Sequence, residues 1–257
     1  MNKLYKVYIV SMLNESNRRS FISNQLEKLG IEYTFFDAIN ISVDSKYLSY
    51  VDRNKTYQIN GRELSSGEIG CSLSHYFIYK DMVENDICYA LILEDDAILD
   101  KNLKKFIEGD ILKSKEWDIV LLGYSKVSKS DYFKINSFNP IGQLIYNKEI
   151  KVGRVSKNTT CGTVGYLISL NGAAKLLKLK VSGNTVADNW PYFEKNGGLK
   201  IFHCRPFLVF EDFFNLESSI ENERLAHNKI HHGDNKLKDL LKYIRGWFRS
   251  FILLFKR

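Results

Sequence analysis

Proline is scarce in this chain: Pro140, Pro191 and Pro206 are the only three among 257 residues. With no Pro- or Gly-rich linker and no internal repeat, nothing splits the chain into halves. Its length suits one large domain, or one domain with an appendage. None of the four cysteines, Cys71, Cys88, Cys161 and Cys204, forms a CxxC pair. Their scattered apolar settings read as reduced core residues in a reducing compartment, not as a disulfide framework. No apolar run approaches the roughly 20 residues that span a bilayer. The opening Met1-Asn2-Lys3-Leu4-Tyr5-Lys6 is too polar for a signal peptide, so the expected location is cytoplasmic. Also missing are GxGxxG after the first strand, a GxxxxGKS/T phosphate loop and a GxSxG elbow, which removes the dinucleotide, P-loop and serine-hydrolase readings.

Charge is unevenly spread. The net charge is +7. Between Lys236 and Arg257 stand seven basic residues and one acid, Asp239. The excess therefore belongs to a tail, and a nucleic-acid-binding body would carry its own basic face. No nucleic-acid partner is expected.

The most telling stretch is Tyr89-Ala90-Leu91-Ile92-Leu93-Glu94-Asp95-Asp96-Ala97-Ile98-Leu99. A short apolar run of this kind reads as a buried strand. It ends in three adjacent carboxylates that repel one another, and apolar residues resume at once. A solvated acidic turn is the commoner meaning of such a cluster, but the flanking apolar residues oppose it. Strand alternation would put Glu94 and Asp96 on one face and Asp95 on the other. Two carboxylates so placed suit a hard cation.

Around this stretch, strands and helices alternate. Tyr5–Ser11 reads as a strand, 19–29 as a helix with Ser16 available as its cap and Gly30 as its stop, and 31–36 as a second strand. Residues 41–62 show no period and read as a loop. Ser65 and Glu68 form a capping box for a helix to about Glu84. A helix over 103–112 and a strand over 117–122 follow. The weakly patterned 125–155 suits a hairpin or a mobile loop. A strand over 163–169, a helix over 171–179, a loop around Asp188 and short strands at 199–203 and 207–210 complete the body. The class is α/β with a mostly parallel sheet, whose ligands bind beyond the carboxyl ends of the strands.

Other candidates are weaker. Arg18-Arg19 could hold phosphate, though surface arginines seldom do. Asp188, beside Trp190, could be a general base under a substrate ring or a plain loop acid. His75, in mid-helix, is by default a hydrogen-bonded structural histidine, and His231-His232 reads as solvated. On residues alone the chain is an α/β enzyme using a divalent cation held by carboxylates.

Five stretches in order resemble glycosyltransferase family 25, the lipooligosaccharide and lipopolysaccharide sugar transferases of Gram-negative bacteria. They are Asn17-Arg18-Arg19 with Phe35-Phe36-Asp37-Ala38; Gly67-Glu68-Ile69-Gly70-Cys71-Ser72-Leu73-Ser74-His75; Leu93-Glu94-Asp95-Asp96; the Gly162–Ser169 run with Gly172–Leu177; and Val186-Ala187-Asp188. The resemblance implies a GT-A-like single domain over residues 1–220, a UDP-sugar donor, a glycan or glycolipid acceptor, and Mn²⁺ or Mg²⁺. It makes Asp96 the main metal ligand, with Glu94 on the metal or the ribose and Asp95 assisting. Arg18, Arg19 and Asp37 would line the nucleotide pocket. The acidic motif here is Glu-Asp-Asp, where many GT-A enzymes carry Asp-x-Asp. For the base that an inverting transfer needs, Asp188 is the first choice, with His75 and Glu68 behind it.

Residues 221–257 are expected to form a separate helical tail. From Lys236 its apolar residues, including Trp247, Phe248, Phe251 and Phe255, recur at helical spacing, with Lys238, Lys242, Arg245 and Arg249 largely opposite. That pattern suits the anionic inner face of the cytoplasmic membrane; the plainer reading is a helix docked on the core. The function expected is transfer of a hexose, galactose before glucose, to a lipooligosaccharide, lipopolysaccharide or capsule glycan. A metal-dependent nucleotidyltransferase, a nucleotide-sugar hydrolase and a non-enzymatic membrane-associated assembly protein stand as alternatives.

Overall fold

The computed structural model describes residues 5–125, 127, 132–156, 158–159 and 161–212. The boundary at 220, His231-His232 and the basic segment from 236 lie outside the described residues. Among those described, no helix is long and apolar enough to cross a membrane.

β1 (Tyr5–Ser11) pairs in parallel with β2 (Thr34–Asp37) on one side and β3 (Tyr89–Glu94) on the other. Its residues Val7 to Val10 are all buried, because a parallel strand inside a sheet is covered on both faces. Between β1 and β2 runs α1 (Ser16–Leu29), which stops at Gly30 with φ +63° as a left-handed stop requires. The helix begins three residues earlier than its apolar stripe, and Ser16 lies inside it rather than capping it.

Residues 41–62 are not a plain loop. They hold a 3₁₀ turn (Ser45–Tyr50) and α2 (Arg53–Asn60), whose N-cap Asp52 accepts from the Lys55 N–H at 3.1 Å. Of the α2 residues only Thr56 is buried, so no apolar stripe marks this helix. Tertiary bonds fix it: the Asn184 carboxamide accepts from Asp52 N at 2.6 Å, and Asn60 donates to Asn184 O at 2.9 Å.

α3 (Ser66–Glu84) opens with the full capping box, Ser65 and Glu68 each accepting from the other's backbone N–H. After β3 come β4 (Ala97–Leu99) and α4 (Leu103–Ile107). The expected helix to 112 is broken, with Gly109 leading into a second short 3₁₀ turn, Asp110–Lys113. β5 (Ile119–Leu121), α5 (Tyr132–Phe138) and the hairpin of β6 (Ile141–Asn147) and β7 (Lys151–Val155) follow. Next are β8 (Gly165–Ser169) and α6 (Leu170–Leu179). α7 (Trp190–Gly197), which begins where the loop expected around Asp188 ends, leads to β9 (Ile201–Arg205) and β10 (Val209–Glu211).

Eight strands form one sheet in the order β2-β1-β3-β8-β5-β9-β7-β6. β8 and β7 run against their neighbours and the other strands share one direction. The sheet is mostly parallel by direction, although β8 separates β3 from β5. Alternation divides its side chains between two cores. Ile9, Leu91, Leu93 and Leu167 pack with Ile22 and Leu26 of α1 and Phe106 of α4. Tyr8, Ile92, Tyr166 and Ile168 pack with Ile78 and Met82 of α3, Leu176 of α6 and Trp190 of α7. The result is three layers, helix–sheet–helix. β10 leaves the large sheet and pairs antiparallel with β4, Glu211 opposite Ala97. No cysteine is in a disulfide, but only Cys161 and Cys204 are core residues; Cys71 is half-buried and Cys88 exposed.

Candidate active site

The carboxyl ends of β1, β2 and β3 open on one side of the sheet, where α/β folds place ligands. A cleft of about 350 Å³ lies there. Its walls are the end of β1 (Val10, Ser11), the loop after β2 (Ala38 to Asn40) and the first two turns of α3 (Ser66, Gly67, Cys71). Arg18, Glu94, Asp95, Asp96 and Glu211 also line it.

Strand alternation ends at Glu94. Asp95 and Asp96 form the turn between β3 and β4, so all three carboxylates reach the cleft, and the expected division into two faces does not hold. Asp95 and Asp96 are the pair with a common partner. Arg18 donates through Nε to Asp95 Oδ1 and through Nη2 to Asp96 Oδ2, both at 2.7 Å. This turn is not a solvated one: Asp95 is 5% and Asp96 7% exposed.

Burial pushes the Asp96 carboxyl up to about 6; Arg18 opposes the push, and Glu211 and Asp95 add to it. Burial raises Glu94 well above the usual carboxylate range, with Asp96 adding repulsion and the Thr163 hydroxyl, which donates to Glu94 Oε1, opposing it. Asp96 Oδ1 is buried without a hydrogen-bond partner among the described residues. An orphaned carboxylate oxygen among acids is a disfavoured arrangement. A hard divalent cation takes oxygen ligands of this kind, so Asp96 and Glu94 fit one.

The remaining candidates sit elsewhere. Arg19 donates to Asp37 at 2.5 Å, holds Ser11 O and Met12 O, and stacks its guanidinium 4.6 Å from the Phe35 ring. That arrangement anchors the exit of β1, and neither Arg19 nor Asp37 lines the cleft. Glu68 is spent on the capping box and a two-pronged ion pair with Arg62 at 2.7 and 2.8 Å. Asp188 accepts from Gly162 N at 2.8 Å, one residue before the Thr163 that binds Glu94. His75 is buried beneath the cleft, its Nδ1 2.6 Å from the Tyr166 hydroxyl, and burial lowers its pKa to about 4. It is a neutral imidazole at pH 7.

Glu211 was not legible in the sequence. It arrives through β10, whose pairing with β4 carries Asp212 N to Asp96 O at 2.9 Å. The one available signal was the acid pair Glu211-Asp212 ending a short apolar run. Cys71 lies inside the Gly67–His75 motif and Ser66 just before it, and neither carries a role in the sequence pattern.

Comparison with known proteins bears on this site. The family model described as glycosyltransferase family 25 (LPS biosynthesis protein) matches residues 4–190. A Haemophilus influenzae protein named as a glycosyltransferase is 27% identical, with 94% of this chain and 83% of that one covered. The lipooligosaccharide biosynthesis protein lic2B of Haemophilus influenzae is 28% identical over 66% of this chain and 61% of its own. Procollagen galactosyltransferase 1-A of Xenopus laevis is 28% identical over 67% of this chain. The chain spans only 28% of that animal relative, and a mouse relative is named as an inactive family member.

Proposed function

The chain belongs to glycosyltransferase family 25, and from that premise we propose that it moves a hexose, galactose before glucose, from a UDP-sugar to a lipooligosaccharide, lipopolysaccharide or capsule glycan. The single observation that carries the reading is the buried turn Glu94-Asp95-Asp96 at the carboxyl end of β3, which lines a cleft and holds an orphaned Asp96 oxygen.

Mn²⁺ or Mg²⁺ held by Asp96 and Glu94 would neutralise the charge that builds on the departing diphosphate. The rest follows from the chain's own groups. The first turn of α3, with Ser66 and Gly67 on the cleft wall, presents backbone N–H groups and the positive end of the helix to an anion. Arg18 is within reach of the same space and can turn from the carboxylates to a phosphate oxygen. Asp188 fixes Gly162, and Thr163 in turn fixes Glu94, so the 162–163 segment sets one wall of the acid cluster. A base must meet the acceptor hydroxyl within hydrogen-bond reach. Asp95 lines the cleft and Asp188 does not, which supports Asp95 over Asp188 as that base. The acceptor chemistry and the basic segment 236–257 together support work at the inner face of the cytoplasmic membrane.

The test is turnover of UDP-galactose and UDP-glucose with a glycan acceptor, in Mn²⁺ and in EDTA, with mass spectrometry of the product. A glycan product lost in EDTA and in Asp96→Asn is expected. Free hexose or pyrophosphate as the sole product would replace this reading with a hydrolase or a nucleotidyltransferase.

A further inference from the structure

We propose that Cys71, His75 and Glu94 form a second cation site, for a thiophilic divalent ion of the zinc class, under the floor of the cleft. Cys71 and His75 stand four residues apart on α3 and so share one face of the helix. Glu94 meets them from the end of β3. One donor atom from each, the thiol sulfur, a ring nitrogen and a carboxylate oxygen, lies within 4.8 Å of the other two. No other group of three such residues is as close among the described residues.

His75 supplies the second observation. It is 1% exposed, and its Nε2 has no hydrogen-bond partner among the described residues. Its other nitrogen is 2.6 Å from the Tyr166 hydroxyl, which is itself 2.7 Å from the Tyr79 hydroxyl. With Nε2 as the ligating atom, Nδ1–H donates to Tyr166. That is the outer hydrogen bond by which ligating histidines are oriented.

The donor set decides the class of ion. Thiolate, imidazole and carboxylate together suit Zn²⁺, whereas the all-oxygen pair of Asp96 and Glu94 suits harder ions. Three protein ligands leave a fourth position open, and Cys71 and Glu94 both border the cleft, so that position faces it. Ligand atoms around tetrahedral zinc lie about 3.3–3.9 Å apart for the usual bond lengths. The three groups therefore draw in by about 1 Å, through rotation of the half-buried Cys71 and Glu94 side chains. Binding converts the Cys71 thiol to thiolate and releases its proton to water. The site shares Glu94 with the Mn²⁺ or Mg²⁺ reading and rests on Cys71 and His75, which that reading does not use.

The test uses the full chain, stripped with a chelator and titrated with Co²⁺ alone, then Zn²⁺. The expected result is a thiolate-to-Co²⁺ charge-transfer band in the near ultraviolet with intense four-coordinate visible bands, both displaced by Zn²⁺. Cys71→Ser should lose the near-ultraviolet band. Its Zn²⁺ affinity should fall at least about 100-fold, since outer-shell changes alone cost about 10–100-fold. Asp96→Asn should keep the band. The proposal is overturned by a folded wild-type protein with no thiolate band, by the same spectrum in Cys71→Ser, or by a band that disappears in Asp96→Asn but persists in Cys71→Ser. Cys71→Ser is a near-isosteric change at a half-buried position, and circular dichroism confirms its fold.

Discussion

At Asp96 burial and function pull in opposite directions. Its folded pKa of about 6 stands above the ordinary 3.8, so between those values the native state holds a proton that the unfolded chain has released. The stability this contributes is present below about pH 4 and is lost as pH rises through 6. Replacing Asp96 with Asn removes the term. Relative to wild type, Asp96→Asn should gain on the order of 2–3 kcal/mol between pH 4 and pH 8, measured by urea unfolding, while sugar transfer is lost. A bound cation must displace the same proton. Mn²⁺ affinity should therefore fall by about tenfold per pH unit below about pH 6 for each proton displaced, which titration calorimetry reads. A flat profile would remove Asp96 from the ligand set.

Arg18 is the resident counter-charge for Asp95 and Asp96, with contacts of 2.5–2.7 Å. Removing one partner of a buried ion pair leaves uncompensated charge and costs about 3–5 kcal/mol. Arg18→Ala should lower the melting temperature, and Mn²⁺ should restore more of it than the ion adds to wild type, because the ion then replaces a missing cation. Equal Mn²⁺ shifts in the two proteins would show that Arg18 and the ion do not share a place.

At the scale of elements, the packing of α3 on the loop after β2 holds the cleft wall in place. Gly70 is where they meet: a Cβ there would stand 2.2 Å from Ile39 O. Two bonds pin the contact, since the Ser74 hydroxyl accepts from Ile39 N at 2.8 Å and donates to Gly70 O at 2.7 Å. Gly→Ala in a helix is favourable by about 1 kcal/mol through propensity, but forced overpacking costs about 1–3 kcal/mol. The clash is with backbone, which cannot rotate away, so overpacking wins. Gly70→Ala should destabilise the protein in denaturant unfolding and weaken nucleotide binding together.

The elements that were legible in the sequence are those whose own side chains pay their ordering cost. β1, β3 and β8 are continuous apolar runs, and α3 carries its cap and its buried face locally. α2 and α7 were not legible. α2 buries one residue of its own and depends on Asn184, more than 120 positions away. α7 is eight residues long, and its buried Trp190 and Phe193 are too few to set a period.

Across the whole molecule, the sheet gathers at one edge groups that the chain keeps far apart. Arg18, Glu94 and Glu211 meet in one cleft because β1 and β3 are parallel neighbours and β10 pairs with β4. The basic segment beyond residue 235 is the part of the chain that a membrane would engage. Full-length protein should pellet with anionic liposomes and lose that binding when residues 236–257 are deleted, with each basic residue worth about 1 kcal/mol near the surface. Pelleting that survives the deletion, or that ignores salt, would place the contact elsewhere.

The sequence by itself determined the α/β class, the buried strand ending in three acids and the ordered family motifs, because periodicity, caps and adjacent like charges are local properties. Only the tertiary structure decided which acids face one another. It put Asp95 with Asp96 on Arg18 where alternation had paired Glu94 with Asp96, it brought Glu211 in through β10, and it set His75 under the cleft as a neutral buried ring. Those outcomes depend on where the strand ends and on which distant strand lies beside it. Long-range pairing fixes both, and no short window of residues contains it.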